Sequence, residues 1–288
     1  MKTGCVILNY NDYENTTTLV SSIIEYELLD LIIIVDNCSP DHSGIRLSEL
    51  YANEKKVIVL LVDNNKGYAA GNNYGVKYLF EKGYDYAVIC NPDVVFDNHF
   101  VSRCCATLNK GISLTSGVMK GPDNHYSSIQ TYTVHSYYED LMHCFLLGRK
   151  VLDKKYKRAV KSNDENQILE VNRIPGSLMA VNVRDFIQVG GFDENTFLYC
   201  EEKIFCERLI KAGKKIALLP GIEYLHNESQ TINKRYNVHQ KIHLFVLSNN
   251  YYYRTYKNIG MIKYCILQLC EGCYELEFLI RDLIYRYL

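Results

Sequence analysis

Short apolar runs and amphipathic helical patterns alternate along the first part of the chain. Residues 3–8, 31–35, 57–62 and 86–90 have the length and composition of strands that are covered on both faces. The segments between them repeat apolar residues at helical spacing, and Asn15 is expected to cap the first of these helices. The alternation predicts an α/β fold with a doubly wound, mostly parallel central sheet flanked by helices.

The fourth run leads into a polar corner, Asn91-Pro92-Asp93. Pro92 has no N–H to donate to a sheet, so the strand is expected to end there. Asp93 then lies at the carboxyl edge of the sheet, where open α/β sheets bind ligands. A carboxylate at that edge, with an amide beside it, suits a divalent cation that ligand phosphates also bind. An ordinary strand-to-turn corner would have the same residues.

Asparagine or aspartate residues follow each of the four predicted strands. The polar residues that follow the four strands are Asn9, Asn11, Asp36, Asn37, Asn65 and Asp93. Right-handed crossovers bring the carboxyl ends of such strands to one edge of the sheet. Asn and Asp are also common turn residues, so one such turn alone would mean little. Four in succession favour a polar crevice.

A glycine-rich turn joins the third run to the next helix. Lys66 and Gly67 open this turn, and the small residues after them allow close approach of the backbone to a ligand. The helix N-terminus that follows would attract an anion. The spacing matches neither the dinucleotide-binding fingerprint nor the Walker loop, so the turn by itself is weak evidence.

Composition narrows the classes of protein. A chain of 288 residues can form one large domain, or one domain with an extension. The net charge of −1 gives no general attraction to nucleic acid. The N-terminus resembles neither a signal peptide nor a membrane span. Eleven cysteines, an odd number, indicate reduced thiols and a cytosolic protein.

The second half of the chain begins less regularly. Residues 149–161 carry seven cations, which indicates a solvated, mobile face or, alternatively, a lid or dock for an anionic acceptor. Residues 168–184 predict two strands around a Pro-Gly turn. Glu201 and Glu202 open a predicted helix, where acidic side chains would also suit the helix dipole alone. Two more short apolar runs precede His226.

The α/β alternation stops after residue 230, and a long helical pattern follows. Apolar residues recur there at alternating steps of three and four: Ile259, Ile262, Ile266, Leu269, Cys273, Leu276, Ile280, Leu283 and Tyr287. No run reaches the roughly 20 apolar residues that a membrane span requires. We expect this stripe to pack on the α/β domain or on a second subunit. A membrane-surface helix is the alternative.

Several segments together resemble the family 2 glycosyltransferases, which have the GT-A fold. The motifs are VILNYND, IIIVDNCSPD, NNKGYAAGNN, ICNPDV and VGGFDENTFLYCEE followed by an arginine and a later histidine. Each motif is weak by itself, but their order and spacing are specific. The similarity spans about residues 3–230 and is strongest to the rhamnosyltransferase-like bacterial branch.

The resemblance implies an inverting transfer of a sugar from a dTDP- or UDP-sugar donor to a hydroxyl of a glycan acceptor. Such enzymes act in the synthesis of capsule, O-antigen or other surface polysaccharide, and the acceptor can be lipid-linked. The positions that match donor-binding residues are Asn9, Asn11, Asp36, Asn65, Lys66, Gly67, Asn91 and Arg208. The resemblance also implies a cytoplasmic enzyme, free or peripheral at the inner face of the cell membrane.

The same resemblance implies a metal and a catalytic base. Asn91 and Asp93 match the family's Asp-x-Asp motif with its first aspartate replaced, and Asp93 would bind Mg²⁺ or Mn²⁺. His226 is a further candidate for contact with the metal or a phosphate. The family's Glu-Asp pair appears as Glu201-Glu202, so the base falls on Glu202, with Glu201 as the alternative. A divalent ion would stabilise the leaving diphosphate, and the base would take the proton of the acceptor hydroxyl.

The implied organisation is a nucleotide-sugar-binding catalytic domain at 1–230 and a helical extension at 231–288. Residues 257–288 would serve for packing, for a homodimer or for contact with a membrane surface. Ile204 departs from the family pattern, where an aspartate is expected. This change and Glu202 motivate a second hypothesis, a non-catalytic nucleotide-sugar-binding subunit. A nucleotidyltransferase is a weaker third hypothesis, because its basic glycine-rich loop near the N-terminus is missing.

Overall fold

The computed structural model describes residues 1–158, 160–227 and 237–287 and contains a mixed β-sheet. The strands are β1 (Thr3–Asn9), β2 (Leu31–Asp36), β3 (Val57–Leu61), β4 (Tyr86–Cys90), β5 (Val94–Val95), β6 (Leu114–Lys120), β7 (Leu169–Glu170), β8 (Leu178–Asn182) and β9 (Ile216–His226). The strand order is β3-β2-β1-β4-β8-β6-β9-β5, and β7 pairs with β9.

Helices flank this sheet and follow it in the chain. They are α1 (Tyr13–Ile23), α2 (Ser43–Leu50), α3 (Tyr68–Glu81), α4 (Asn98–Leu108), α5 (Tyr137–His143), α6 (Leu146–Lys155), α7 (Val183–Gln188), α8 (Glu201–Lys211), α9 (Val238–Thr255) and α10 (Met261–Tyr287), with a 3₁₀ turn at Ile129–Tyr132. None of the helices in the described ranges is long and apolar enough to cross a bilayer.

The predicted α/β fold is confirmed. Strands β1 to β4 form the expected parallel block, with β1 between β2 and β4. Alternate residues of these strands face opposite sides: Ile32 and Ile34 join one core cluster, and Ile33 and Val35 join the other. Both faces of the sheet are therefore covered, as the continuous apolar runs predict.

Beyond β4 the sheet becomes mixed. Residues 168–184 do contain two strands, but β7 pairs with β9, whereas β8 lies antiparallel between β4 and β6. The two predicted runs at 215–219 and 222–225 are one strand, β9, which continues through Pro220 and Gly221. A register shift opposite Gly117 and Val118 accommodates this Pro-Gly step.

One local prediction is wrong. Asn15 does not cap α1, because the helix begins two residues earlier behind Asp12, and the Asn15 amide donates to both carboxylate oxygens of Asp12 at 2.8 and 3.0 Å. In the basic run at 149–161, most of the cations are exposed, and α6 extends into the run as far as Lys155. Arg149 and Lys155 there form ion pairs with carboxylates of Glu277 and Glu139.

Helices α9 and α10 pack against each other and on α8. Ile204 of α8 forms a buried cluster with Tyr252 and Tyr253 of α9 and Leu267 of α10. Ile204 is thus a core contact for the C-terminal helices, which explains an apolar residue at this position. The predicted domain boundary at residue 230 lies outside the described residues.

Candidate active site

The parallel register brings the first three strand ends together. Asn9 is the register partner of Asp36 at the ends of β1 and β2. The Asn37 N–H donates to the Asn9 carbonyl at 2.9 Å, and the Asn37 side-chain amide donates to Asn65 Oδ1 at 3.0 Å. The polar turns after β1, β2 and β3 therefore form one hydrogen-bonded edge.

Asn9 is fully buried, and its side chain bonds within the protein. Its amide donates to Asp36 Oδ1 at 2.7 Å and to Ser43 Oγ at 2.9 Å, while its Oδ1 accepts from Thr16 Oγ1 at 2.8 Å. Asp36 Oδ1 also accepts from Ser39 Oγ at 2.6 Å. In this geometry Asn9 fixes the carboxylate of Asp36 and shapes the edge from inside.

The other predicted donor residues border this edge. Asn11 has a left-handed backbone, with a φ of 53°, and its Oδ1 accepts from the Asp41 N–H at 3.3 Å. Lys66 lines a cavity of about 350 Å³ together with Asn37 and Lys77. A cavity of this size with cations at its wall has the dimensions of a small-molecule site.

Gly67 connects this edge to the segment before α8. Its φ of +95° lies in the left-handed region, and a Cβ at this position would be 2.3 Å from the Phe197 carbonyl oxygen. The next residue, Tyr68, donates its N–H to the same carbonyl at 3.0 Å. Only glycine allows the turn to approach the Phe197 backbone this closely.

Asp93 and His226 lie side by side. Val94, which follows Asp93, pairs with His226 in the antiparallel β5–β9 ladder, and His226 Nε2 is 3.4 Å from Asp93 Oδ1. Asp93 Oδ1 and both ring nitrogens of His226 are buried without a hydrogen-bond partner. Asn91 precedes this corner and donates its N–H to the Ser177 carbonyl at 2.9 Å.

Those unpartnered atoms fit a divalent cation. Burying a polar atom without a partner is costly, and a carboxylate oxygen and an imidazole nitrogen are both metal donors. No group of three or more His, Cys, Asp or Glu side chains converges in the described part of the chain. A metal ion at this corner would have Asp93 and His226 as protein donors and would take its remaining ligands from phosphates and water, as Mg²⁺ commonly does.

A strained turn places two carboxyls at the start of α8. Tyr199 and Cys200 have φ angles of 71° and 66°, so two successive non-glycine residues adopt the left-handed conformation. Such backbone strain persists only where surrounding structure enforces it. Glu201 and Glu202 follow and are buried, with 6% and 8% of their surface exposed.

The two glutamates have different environments. Arg173 Nη2 donates to Glu202 Oε1 at 2.5 Å, and both residues line a cavity of about 370 Å³ that Tyr199 and Phe245 also border. Glu201 Oε2 is buried without a partner. Burial, and then the neighbouring charge of Glu202, raise the pKa of Glu201 well above its usual range. The pair therefore combines a carboxylate bound to a guanidinium with a carboxyl that favours its neutral form.

Tyr68 lies near the two glutamates and contacts the loop before β8. Its hydroxyl donates to the Gly176 carbonyl at 2.6 Å. Burial raises the pKa of Tyr68, and the charges of Glu201, Glu202 and Cys90 raise it further. Cys90 is the last residue of β4, three positions before Asp93.

Arg208 forms its contacts elsewhere. Its guanidinium donates to the Gly191 carbonyl at 3.2 Å, to Asp193 Oδ2 at 3.1 Å and to the Tyr256 hydroxyl. These bonds attach α8 to the preceding turn and to α9. None of these partners is one of the strand-end residues.

Sequence reasoning missed two groups near Glu202. Arg173 is one, and it lies in the loop between β7 and β8. The other is a buried cluster in which Lys203 Nζ and the Tyr253 hydroxyl donate to Asp140 Oδ2 at 3.0 and 2.7 Å. These partners come from distant segments, so no local pattern could have paired them. One signal was available in the sequence: Lys203, a lysine in the first turn of the helix, next to Glu202, where the structure buries it.

The family model "Glycosyl transferase family 2" matches residues 5–158 of the chain. Rhamnosyltransferase WbbL of Escherichia coli is 25% identical over 242 residues, which cover 73% of this chain and 89% of that protein. The N-acetylglucosaminyl-diphospho-decaprenol L-rhamnosyltransferase of Mycobacterium tuberculosis is 25% identical over 217 residues, which cover 70% of this chain and 68% of that protein.

Solved structures with the same fold include two that contain Mn²⁺. A mannosyltransferase from Pyrobaculum calidifontis, in complex with GDP-Man and Mn²⁺, has a TM-score of 0.60 at 12% identity, over 95% of this chain and 69% of that chain. GalNAc-T7 with UDP, GalNAc and Mn²⁺ has a TM-score of 0.61 at 13% identity, over 80% of this chain and 44% of that chain. At these identities the likeness concerns the fold alone.

Proposed function

The chain belongs to glycosyl transferase family 2 and is rhamnosyltransferase-like, and from this premise we propose that it transfers a sugar from a dTDP- or UDP-sugar to a hydroxyl of a glycan, with inversion at the anomeric carbon. The product belongs to a surface polysaccharide. The observation that carries the proposal is the environment of Glu202, a buried carboxylate anchored by Arg173 at the wall of a cavity.

Glu202 is the general base in this proposal. The acceptor hydroxyl enters the cavity, and Glu202 takes its proton while the oxygen attacks the anomeric carbon from the face opposite the leaving diphosphate. Arg173 fixes the carboxylate through Oε1. Glu201 favours its neutral form beside it, so a second negative charge does not oppose ionisation of Glu202.

Asp93 and His226 would hold a divalent ion, Mg²⁺ or Mn²⁺. Their buried unpartnered atoms support this assignment. The ion, when bound, supplies positive charge to the diphosphate as it leaves. The nucleotide would lie along the edge formed by Asn11, Asp36 and Asn65.

The acceptor is a glycan carried on a lipid, in our proposal. A relative whose name includes a diphospho-decaprenol acceptor supports this choice of substrate class. The enzyme would then work in the cytoplasm, at the inner face of the cell membrane. Residues 257–288 would contact a further partner there, either a second copy of the chain or the membrane surface.

Donor turnover by the full-length purified chain tests the proposal. We expect release of nucleotide diphosphate from a dTDP- or UDP-sugar, dependent on Mg²⁺ or Mn²⁺ and accelerated by a lipid-linked glycan. The variant Glu202→Gln should lower kcat at least ~100-fold, the usual scale for loss of a general base. It should leave the melting shift with nucleotide unchanged, because binding of donor to the native state does not require the base.

The variant Glu201→Gln is the matched control for Glu202→Gln. It replaces the neighbouring buried glutamate and should retain most of the turnover, because Glu201 favours the neutral form. Wild-type turnover by Glu202→Gln would refute the assignment of the base. A wild-type chain that binds donors but neither hydrolyses nor transfers any of a broad panel would instead indicate a binding subunit.

A further inference from the structure

Helix α10 packs on the rest of the molecule with one side only. Leu267 and Glu271 face inward and are almost fully buried. Farther along, Arg149 of α6 lies over the rings of Tyr274 and Phe278. These four α10 residues are spaced by three or four positions, so they form one face of the helix.

The regular apolar stripe lies on a different face, which is exposed. The exposed fractions are 79% for Ile262, 42% for Ile266, 71% for Leu269, 55% for Leu276, 47% for Ile280 and 47% for Leu283. Cys273, which completes the spacing, is exposed as well. Seven consecutive stripe positions therefore contact solvent, although the sequence predicts that they pack.

The spacing of this stripe is that of a coiled-coil seam. Steps of four and three alternate from Ile262 to Leu283, which gives three heptads with Ile266, Cys273 and Ile280 at position a. Leucine occupies position d at 269, 276 and 283. Isoleucine at a with leucine at d favours two parallel strands over trimers and tetramers.

We propose that α10 pairs in parallel with α10 of a second copy of this chain, through the seam formed by residues 262, 266, 269, 273, 276, 280 and 283. The inward face remains on its own domain, so a two-fold axis along the helix pair places the two domains on opposite sides. Such an isologous contact closes a dimer and exposes no further seam. The inference does not depend on the transfer reaction.

Charges on α10 favour a second copy over a membrane. An interfacial helix that binds anionic lipid carries many cations on its polar face. Along the exposed and half-exposed positions of α10, Lys263 and Arg281 are balanced by Glu275, Glu277 and Asp282.

Positions next to the seam contain no like-charge conflict. In a parallel pair, position g of one helix approaches position e of the other. The g positions are Cys265, Gly272 and Leu279, all uncharged. The e positions are Lys263, Cys270, Glu277 and Ile284, so no two like charges meet across the dimer.

The mass of the full chain in solution tests the dimer. We expect light scattering on a sizing column to give twice the chain mass for the wild type. Leu269→Glu should give a monomer, because it places a charge in the middle of the seam. Met261→Glu is the matched control: Met261 is 74% exposed on the same helix but lies about 100° away from Ile262, off the seam.

Both substituted residues are exposed in the single chain, so both variants should fold, which circular dichroism checks. A parallel pair also places Cys273 opposite its copy. In a variant with Cys265 and Cys270 replaced by serine, mild oxidation should therefore give a cross-linked dimer that the further change Cys273→Ser abolishes. A monomeric wild type, or a dimer that persists in Leu269→Glu, overturns the proposal. So does a monomer that binds anionic vesicles through Leu269. Failure of that variant to cross-link through Cys273 while it remains a dimer overturns the parallel arrangement.

Discussion

Arg173 Nη2 donates to Glu202 Oε1 at 2.5 Å, across 29 positions of sequence. Arg173 comes from the loop between β7 and β8, and Glu202 is the second residue of α8. The bond occupies one carboxylate oxygen and leaves Oε2 as the oxygen that would take the acceptor's proton. By holding Oε1, the guanidinium of Arg173 would fix the position of the Glu202 carboxylate, whose side chain is one methylene longer than that of aspartate.

The first prediction concerns this ion pair. Arg173→Met should lower kcat by about 10- to 100-fold, because a misplacement near 1 Å can cost that much in rate. Donor affinity, measured by calorimetry, should change little. Arg173→Lys should recover only part of the rate, since an ammonium lacks the planar fork of the guanidinium.

Arg184→Met is the control for that substitution, because Arg184 is an exposed arginine in the following segment, at the start of α7. It should behave as wild type. Unchanged kcat in Arg173→Met would show that Glu202 does not need its partner. A loss of donor affinity equal to the loss of kcat would assign Arg173 to binding instead.

The second prediction concerns the Asp93–His226 pair. Asp93→Ala should abolish the stabilisation that Mn²⁺ and UDP or dTDP together give the native state, which at 100 times the dissociation constant amounts to about 2.7 kcal/mol. His226→Ala should weaken it less, because the carboxylate carries the charge. Melting shifts with the metal alone, the nucleotide alone and both together measure the effect.

Asp123→Ala is the control for Asp93→Ala. Asp123 also follows a strand, β6, but it is exposed and is not one of the predicted donor or metal residues. Its melting shifts should match those of the wild type. Full metal-dependent stabilisation of Asp93→Ala would remove the metal from this corner.

The third prediction concerns Gly67. Gly67→Ala should destabilise the protein by more than Gly83→Ala, and it should also reduce the nucleotide-induced melting shift. Both glycines have positive φ, at 95° and 74°, so both substitutions strain the backbone, and the ψ of −178° at Gly67 belongs to a conformation that essentially only glycine adopts. Only at Gly67 would the new Cβ also meet a backbone atom, the Phe197 carbonyl oxygen at 2.3 Å, whereas the space around Gly83 is open.

Urea unfolding of both variants separates the two contributions. The Gly83→Ala loss measures a positive-φ backbone in open space, and the excess in Gly67→Ala measures the less favourable ψ of Gly67 together with the contact with the segment before α8. Equal losses would mean that the two segments do not need to approach each other this closely.

The fourth prediction is a pH dependence of stability. Burial, mainly, raises the pKa of Glu271 from 4.5 to about 7, against the opposing effect of amide donors from Asn249 and Asn250, each at 2.8 Å. Below the pKa of Glu271 in the unfolded state, the carboxyl is protonated in both states and does not change the free energy of unfolding. Between the unfolded pKa and the folded pKa, the unfolded chain ionises this group while the folded protein keeps it protonated, so the free energy of unfolding falls with pH until the pH has passed about 7. This group should thus make the protein about 2–3 kcal/mol less stable at pH 8 than at pH 5.

Glu271→Gln should remove that slope, because the amide does not titrate in this range. The free energy of unfolding at the two pH values is the measurement, and Glu25→Gln, at an exposed position, is the control. The difference in slope is the readout, since the amide also changes the hydrogen bonds to α9. An identical slope in wild type and Glu271→Gln would contradict the raised pKa.

Sequence patterns were most informative where neighbours in the chain are also neighbours in space. The four apolar runs that lead to Asn9, Asp36, Asn65 and Asp93 form β1 to β4. A short, continuous apolar run is typical of a strand that is covered on both faces of the sheet, so these strands could be predicted from the sequence. Parallel pairing then placed their polar ends at one edge. The position of Glu201 and Glu202 at the start of a helix also followed from local pattern.

Other features needed the assembled molecule. The pairing of Asp93 with His226 depends on β5 and β9 meeting antiparallel, and the bond from Arg173 to Glu202 depends on how one loop passes α8. Tertiary packing also decided which face of α10 is buried and which is exposed. Leu267 and Glu271 packed inward, and the more regular face did not.

The sequence by itself therefore determined the strands, the helices and the chemical groups available at the sheet edge, because periodicity and turn chemistry are local. Tertiary structure alone decided which of these groups meet, since contacts between distant segments depend on strand order, register and the packing of helices. Glu202 and Arg173 illustrate this division. The sequence predicted Glu202 as a site residue, whereas only the tertiary structure placed the Arg173 guanidinium against its carboxylate.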